Sequence, residues 1–197
     1  MRRRSRQTDD NLPTWVDRFD DAVDRAWGRA FRGRPALDRT FYLASELGDF
    51  SLIWQIVGAA QGLRSDRDAD ATVRLGVVLL AESLLVNQGI KRLVNRPRPT
   101  AVDPRPHHLR TPLTSSFPSG HASSAFCAAA VLSHHDPKLR PAYYALALVV
   151  ATSRVHVQIH HASDVIAGAA IGSLLGAAAL RAWPLPAHGD PDPGVEP

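Results

Sequence analysis

Long apolar runs are scarce in this 197-residue chain. Most fall short of the ~20 apolar residues that a membrane-crossing helix ordinarily needs. Mean hydropathy is slightly negative, at −0.14. Two explanations fit: a soluble protein with buried helices, or spanning helices whose ends carry polar groups at a membrane surface. The second fits better, because every short run stops at a polar motif. Cysteine occurs once, at Cys127. That excludes an intrachain disulfide and leaves the redox compartment open. In its alanine-rich run, Cys127 reads as a small core residue. No cleaved leader is expected, because basic residues 1–7 are followed by acidic and polar residues rather than an apolar stretch. No repeat in the ~20–50-residue range is visible, which excludes solenoids and propellers.

Charge of one sign is not concentrated either. The net charge of +4 invites a nucleic-acid reading, but ten arginines within the first 40 residues stand beside seven aspartates. With no single basic stripe, no nucleic-acid partner is expected. An anionic membrane surface is the better match for a basic chain with several apolar runs.

The apolar runs divide the chain. Phe19, Val23, Trp27 and Phe31 recur every four residues between arginines and aspartates. This is an amphipathic helix, suited either to a membrane interface or to the protein's own core. Spanning segments are expected at 37–63, 75–90, 118–133, 142–153 and 163–183, with a charged connection at 64–74 and a proline-rich loop at 96–117. The expected fold class is all-α: a transmembrane bundle of about five spanning helices behind an N-terminal amphipathic interfacial helix. Residues 1–36 form the basic N-terminal segment, 37–183 the helical domain, and 184–197 a proline-rich tail expected to be disordered. Gly168, Gly172 and Gly176 predict close helix packing in the last span.

The chemistry lies at the run ends. Residues 153–164 read Ser-Arg-Val-His-Val-Gln-Ile-His-His-Ala-Ser-Asp. If helical from His156 onward, His156, His160 and Asp164 share one face. A carboxylate one turn from an imidazole can fix its tautomer and leave the other nitrogen as a nucleophile. Zinc binding is a weaker reading of the same three residues. Arg154 supplies an oxyanion fork. Residues 91–99 bring Lys91 and Arg98, and residues 118–121 read Pro-Ser-Gly-His. Ser119 and Gly120 at a helix start offer a hydroxyl and backbone N–H donors to an anion, with His121 beside them. Cations, N–H donors and two imidazoles suit phosphoryl transfer. Arg92, Arg96 and Arg105 read as headgroup or solvent contacts. His107, His108, His134 and His135 read as solvated, and His161 as either a substrate or a surface group. Glu82, within a spanning run, is a functional suspect with no named partner.

These three stretches resemble the three-part signature of the type 2 phosphatidic acid phosphatase (PAP2) superfamily: Lys-x6-Arg-Pro, Pro-Ser-Gly-His, and Ser-Arg-x5-His-x3-Asp. Lys91 with Arg98-Pro99, residues 118–121, and Ser153-Arg154 with His160 and Asp164 match in order. Where many members read His-Tyr-Pro-Ser-Asp, this chain reads His160-His161-Ala162-Ser163-Asp164, a change that bears on substrate fit. The resemblance implies a metal-independent, multi-pass cell-membrane phosphatase acting on a lipid phosphate or diphosphate: phosphatidate, phosphatidylglycerol phosphate, or a polyprenyl phosphate or diphosphate. It implies His160 as the nucleophile that forms a phosphohistidine, Asp164 as its orienting carboxylate, and His121 as the general acid and base. Lys91, Arg98, Ser119, Gly120 and Arg154 would hold the phosphoryl oxygens, and no cofactor is implied. Alternatives are a vanadium-dependent haloperoxidase on the same anion site and a non-catalytic binder of anionic lipids. With two helices before Lys91, the N-terminus and the catalytic mouth share a side, and the arginines make it cytoplasmic. If the first helix does not span, the side inverts. Oligomeric state is left open.

Overall fold

The computed structural model describes residues 14–100, 109 and 114–184. The N-terminal arginines before Thr14, most of the proline-rich loop with His107 and His108, and the tail after Pro184 lie outside the described residues. Every regular element among the described residues is helical.

Helix α1 spans Trp15–Phe31 and starts at a capping box. The Asp17 N–H donates to Thr14 Oγ1 at 3.2 Å, and the Thr14 N–H donates to Asp17 Oδ2 at 2.9 Å, so two otherwise orphaned N–H groups are satisfied. Helix α2 spans Pro35–Leu47, with its proline in the first turn where no N–H is needed. A short 3-10 turn, Asp49–Ser51, leads into α3, Leu52–Gly62. The expected single span over 37–63 is therefore broken in two. Phe50 and Ser51 take the left-handed conformation, with φ of 53° and 58°, which no regular helix accommodates.

Helix α4 runs Asp66–Ser83, capped by Ser65, whose Oγ accepts the Asp68 N–H at 3.2 Å. It continues without a break through a π-helical stretch, Leu84–Ile90, into the last turn α5, Lys91–Leu93. The expected charged connection at 64–74 is thus mostly helix. Arg74 is buried within it and donates to the Trp183 carbonyl at 3.1 Å. Helices α6 (Gly120–His135), α7 (Arg140–His156) and α8 (Ala162–Ala182) complete the bundle.

The main core joins Trp54, Leu75, Val78 and Leu79 of α3 and α4 to the alanine-rich face of α6 and to Tyr143, Ala147 and Val150 of α7. Cys127 is buried there. A second cluster joins Ala122, Ala151, Val155, Ala162 and Val165, covered by Val23 and Trp27 of α1. Part of the amphipathic face of α1 therefore packs on the protein's own core, while Trp15 is 74% exposed.

Helices α6 and α8 meet backbone to backbone. A Cβ on Gly172 would lie 1.9 Å from the Ser123 carbonyl oxygen, and one on Gly168 would lie 2.4 Å from that of Ser119. Only glycine permits this approach.

Polar locks mark the end of the bundle away from those glycine-lined starts. His135, expected as solvated, is buried and lies 2.6 Å from Asp68 Oδ1; Gln61 Nε2 bonds the Tyr143 hydroxyl. Helices α3, α6 and α8 run toward that end, and α4 and α7 run back from it. Among the described residues only α8 is long and apolar enough by itself to cross a membrane.

Candidate active site

The ends of α5 and α7 and the starts of α6 and α8 converge on one cleft of about 720 Å³. Its walls include Lys91, Gly120, His121, Arg154 and His160, together with Asp49 and Phe50 from the broken turn.

The stretch around His160 is not a continuous helix. Helix α7 ends at His156, and residues 157–161 form a turn in which Gln158 has a φ of 53°. The Ile159 and His160 N–H groups both donate to the Arg154 carbonyl, at 3.1 and 3.2 Å. This turn separates the three residues expected on one face. His156 points elsewhere: its Nε2 lies 2.9 Å from Asp38 Oδ1, and its Nδ1 accepts the Trp27 Nε1–H at 3.1 Å. With His156 committed to α1 and α2, the zinc set His156, His160 and Asp164 is not assembled.

His160 is buried. Arg98 Nη1 lies 3.2 Å from its Nε2. A guanidinium only donates, so Nε2 is the acceptor, unprotonated with its lone pair directed at Arg98, while the ring proton sits on Nδ1. Nδ1 is 3.6 Å from Asp164 Oδ2, just beyond hydrogen-bond reach. Burial is the main cause holding the imidazole down to about 3, with Arg154, Arg98 and Lys91 adding to it against the opposing effect of Asp164. The ring is neutral at neutral pH.

Arg98 is fixed by carbonyls. Its Nη1 donates to Ile159 at 3.0 Å, and its Nη2 donates to Thr114 at 3.1 Å and Ser115 at 3.2 Å. Arg154 is buried, and its Nη1 donates to Ser45 Oγ. His121 is set by α2 and the turn after it: its Nε2 lies 3.1 Å from the Ser45 carbonyl and 3.2 Å from Asp49 Oδ1. Gly48 makes this possible, since a Cβ there would lie 2.5 Å from His121 Cδ2. Lys91 is buried, and Gly120 leaves room beside it: an added Cβ would come within 2.9 Å of Asn87 Oδ1.

Two expected anion ligands sit differently. Ser119 is fully buried and does not line the cleft; its Oγ accepts the Ala122 N–H at 3.4 Å and caps α6. Its own N–H donates to the Asp164 carbonyl at 3.0 Å, which ties the starts of α6 and α8 together. Arg98 reaches the cleft through His160 rather than as part of its wall.

Several residues were missed or misread in the sequence. Arg96, expected at headgroups or solvent, is turned inward. Its Nη1 lies 2.5 Å from Asp164 Oδ1, and its Nη2 lies 2.6 Å from Asp20 Oδ2. Ser116 Oγ and the His161 N–H both donate to Asp164 Oδ2, the latter at 2.9 Å. Asp20, buried on α1, also accepts the Ser163 N–H at 2.8 Å and the Ser163 hydroxyl at 2.7 Å. Glu82 is buried and lines the cleft. His161 lines a smaller pocket behind His160, with Asp20, Asp21 and Asp24. No local pattern distinguishes Asp20 from the other N-terminal aspartates.

A helical bundle that gathers two imidazoles, a carboxylate and buried cations at one mouth defines the class of anion-handling helical enzymes to which phosphoryl transfer belongs. The particular family follows from comparison: residues 71–185 match the PAP2 superfamily model, and the chain belongs to that superfamily. It is 33% identical over 152 residues to a decaprenylphosphoryl-5-phosphoribose phosphatase of Mycolicibacterium smegmatis, covering 77% of this chain and 82% of the relative. Among solved structures it resembles LpxE of Aquifex aeolicus, with a TM-score of 0.66 and 27% identity over 83% of this chain and 95% of the other. It also resembles the transmembrane PAP2-type phosphatidylglycerolphosphate phosphatase of Bacillus subtilis, with a TM-score of 0.64 and 26% identity over 83% and 84% of the two chains.

Proposed function

We propose that this protein is a membrane phosphatase that hydrolyses the terminal phosphate of a lipid phosphate through a phosphohistidine. It is a phosphoric monoester hydrolase. The observation that carries the mechanism is the His160 ring, neutral, with Nε2 unprotonated and held at 3.2 Å from Arg98.

In the first half-reaction Nε2 bonds to phosphorus and the bond from phosphorus to the lipid oxygen breaks. His121 donates a proton to that oxygen. Lys91, Arg98, Arg154 and the Gly120 end of α6 take up charge on the phosphoryl oxygens, with Ser119 holding that helix start in place. Asp164 stabilises the charge left on His160. In the second half His121 takes a proton from water, water attacks phosphorus, and the phosphorus–nitrogen bond breaks to release inorganic phosphate.

Membrane embedding is supported by apolar side chains turned outward along the bundle. Ile56, Leu80, Leu148, Ile166 and Leu174, on four different helices, are each more than half exposed. Five segments, α3, α4, α6, α7 and α8, then cross in alternation, with the cleft, α1 and α2 at one face. At ~1.5 Å per residue α3 by itself falls short of the ~30 Å hydrocarbon core. Trp15 and Phe19 of α1 lie in the interface of that face.

Similarity to the mycolicibacterial enzyme favours a polyprenyl-linked substrate over phosphatidate. Phosphate release from a panel of polyprenyl and glycerolipid phosphates, by detergent-purified protein with EDTA present, tests the proposal. Hydrolysis of at least one is expected. No release from any of them by folded protein overturns it, and vanadate-dependent halide oxidation in its place would establish the haloperoxidase alternative.

A further inference from the structure

We infer that Asp20, on a helix outside the matched family region, is a positioning residue for phosphoryl transfer, acting through Arg96 on Asp164. This rests on the phosphatase reading above.

One guanidinium is divided between two buried carboxylates. Arg96 gives Nη1 to Asp164 Oδ1 at 2.5 Å and Nη2 to Asp20 Oδ2 at 2.6 Å. Asp20 in turn holds Ser163, the neighbour of Asp164 in the first turn of α8, by both its N–H and its hydroxyl. The result is a closed ring of contacts through Asp20, Ser163, Asp164 and Arg96.

The division matters because of what a guanidinium does when it is not shared. An arginine facing a single carboxylate adopts the two-pronged arrangement and takes both oxygens. Here that would draw in Asp164 Oδ2, the oxygen nearest to His160 Nδ1 at 3.6 Å. With Asp20 occupying the second prong, Oδ2 is left to Ser116, to the His161 N–H and to His160. Asp20 does not line the main cleft, so it has no contact with a phosphoryl group there. Its influence falls on the charge that develops at His160 during attack, and therefore on turnover rather than on substrate binding.

The test uses purified full-length protein and a lipid phosphate that the wild type hydrolyses. Asp20→Asn keeps the shape and an acceptor for Ser163 but no longer shares the guanidinium charge. Outer contacts of this kind are worth about 10–100-fold in activity, so kcat should fall by that range. KM should stay within about threefold, the pattern of an interaction made in the transition state. Arg96→Lys keeps a cation but cannot bridge both carboxylates, so it opens the ring on Asp164 and should also lower kcat. Combining Asp20→Asn with Arg96→Lys should cost little beyond either alone, because both break one ring. Wild-type kcat in either single variant, an effect confined to KM, or full additivity overturns the inference. Should Asp20→Asn fail to fold, Asp20→Glu, which keeps the charge but displaces it by a methylene, is read on the same kcat and KM. A wild type inactive on every lipid phosphate removes the underlying reading; an active wild type with an unaffected variant removes this inference alone.

Discussion

Under the proposed mechanism the two histidines at the cleft have separable tasks, and substitution should separate them. His160→Ala is expected to abolish phosphoenzyme and turnover together. His121→Asn is expected to lower kcat by about 10²–10⁴-fold, the range for losing a general acid. Acid quench of radiolabelled substrate reads both outcomes, and phosphoenzyme trapped in His160→Ala would refute its assignment as nucleophile. Acidity gives a second test. The folded protein binds a proton at His160 only near pH 3, against 6.5 for the ordinary group, so the unfolded chain binds more protons across that window. Stability is fully present above about 6.5 and is lost as pH falls toward about 3. His160→Ala should reduce this slope, as measured by the thermal midpoint in detergent across that range. Asp49 and Phe50 share the cleft wall without a motif, but Lys91, Gly120, His121, Arg154 and His160 were legible because their motifs place them at helix ends. Arg96, Ser116 and Asp20 were not. Their partners lie 48 to 143 positions away in sequence, and an arginine in a basic loop looks the same whether it meets water or a buried carboxylate.

At the level of helices, the glycine spacing of α8 announced a close approach, and the partner proved to be the α6 backbone. Gly172→Ala and Gly168→Ala should each destabilise, by about 1–3 kcal/mol for an overpacked contact. At 2–4 °C per kcal/mol for a chain of about this size, the thermal midpoint reports it. Gly168→Ala should also depress kcat, because its new methyl presses on Ser119, whose N–H ties α6 to Asp164. Gly172→Ala, one turn further from the cleft, should cost stability more than rate. The extent of α8 followed from its apolar run, within a residue at each end, whereas α7, expected over 142–153, covers 140–156. The break at 48–51 did not, because residues 37–63 carry no proline and the cause is distant: Gly48 must lie against the ring of His121 for Asp49 and Ser45 to reach it. The turn at 157–161 was hidden for a similar reason. Imidazoles four apart imitate a helix face, while the two N–H groups that close the turn onto Arg154 leave no mark on composition.

For the molecule as a whole, the proposed crossing pattern puts the loop between α1 and α2 on the cleft side, and the link between α6 and α7 on the other. Arg34 and Lys138 are both exposed. The chain's single cysteine is buried, so it gives little background. Arg34→Cys and Lys138→Cys should therefore react with an impermeant maleimide from opposite faces of sealed vesicles, and labelling of both from one face would contradict the topology. The same geometry bears on how the cleft opens. Where α6 and α8 touch through bare main chain, no rotamers intervene that could be exchanged to let one helix slide on the other. His121 at the head of α6 and Asp164 at the head of α8 consequently travel as one block. Breathing of the mouth falls to the opposite wall, α3 and α4 with the left-handed turn between Gly48 and Leu52, and in hydrogen exchange that wall should open well before the glycine seam does.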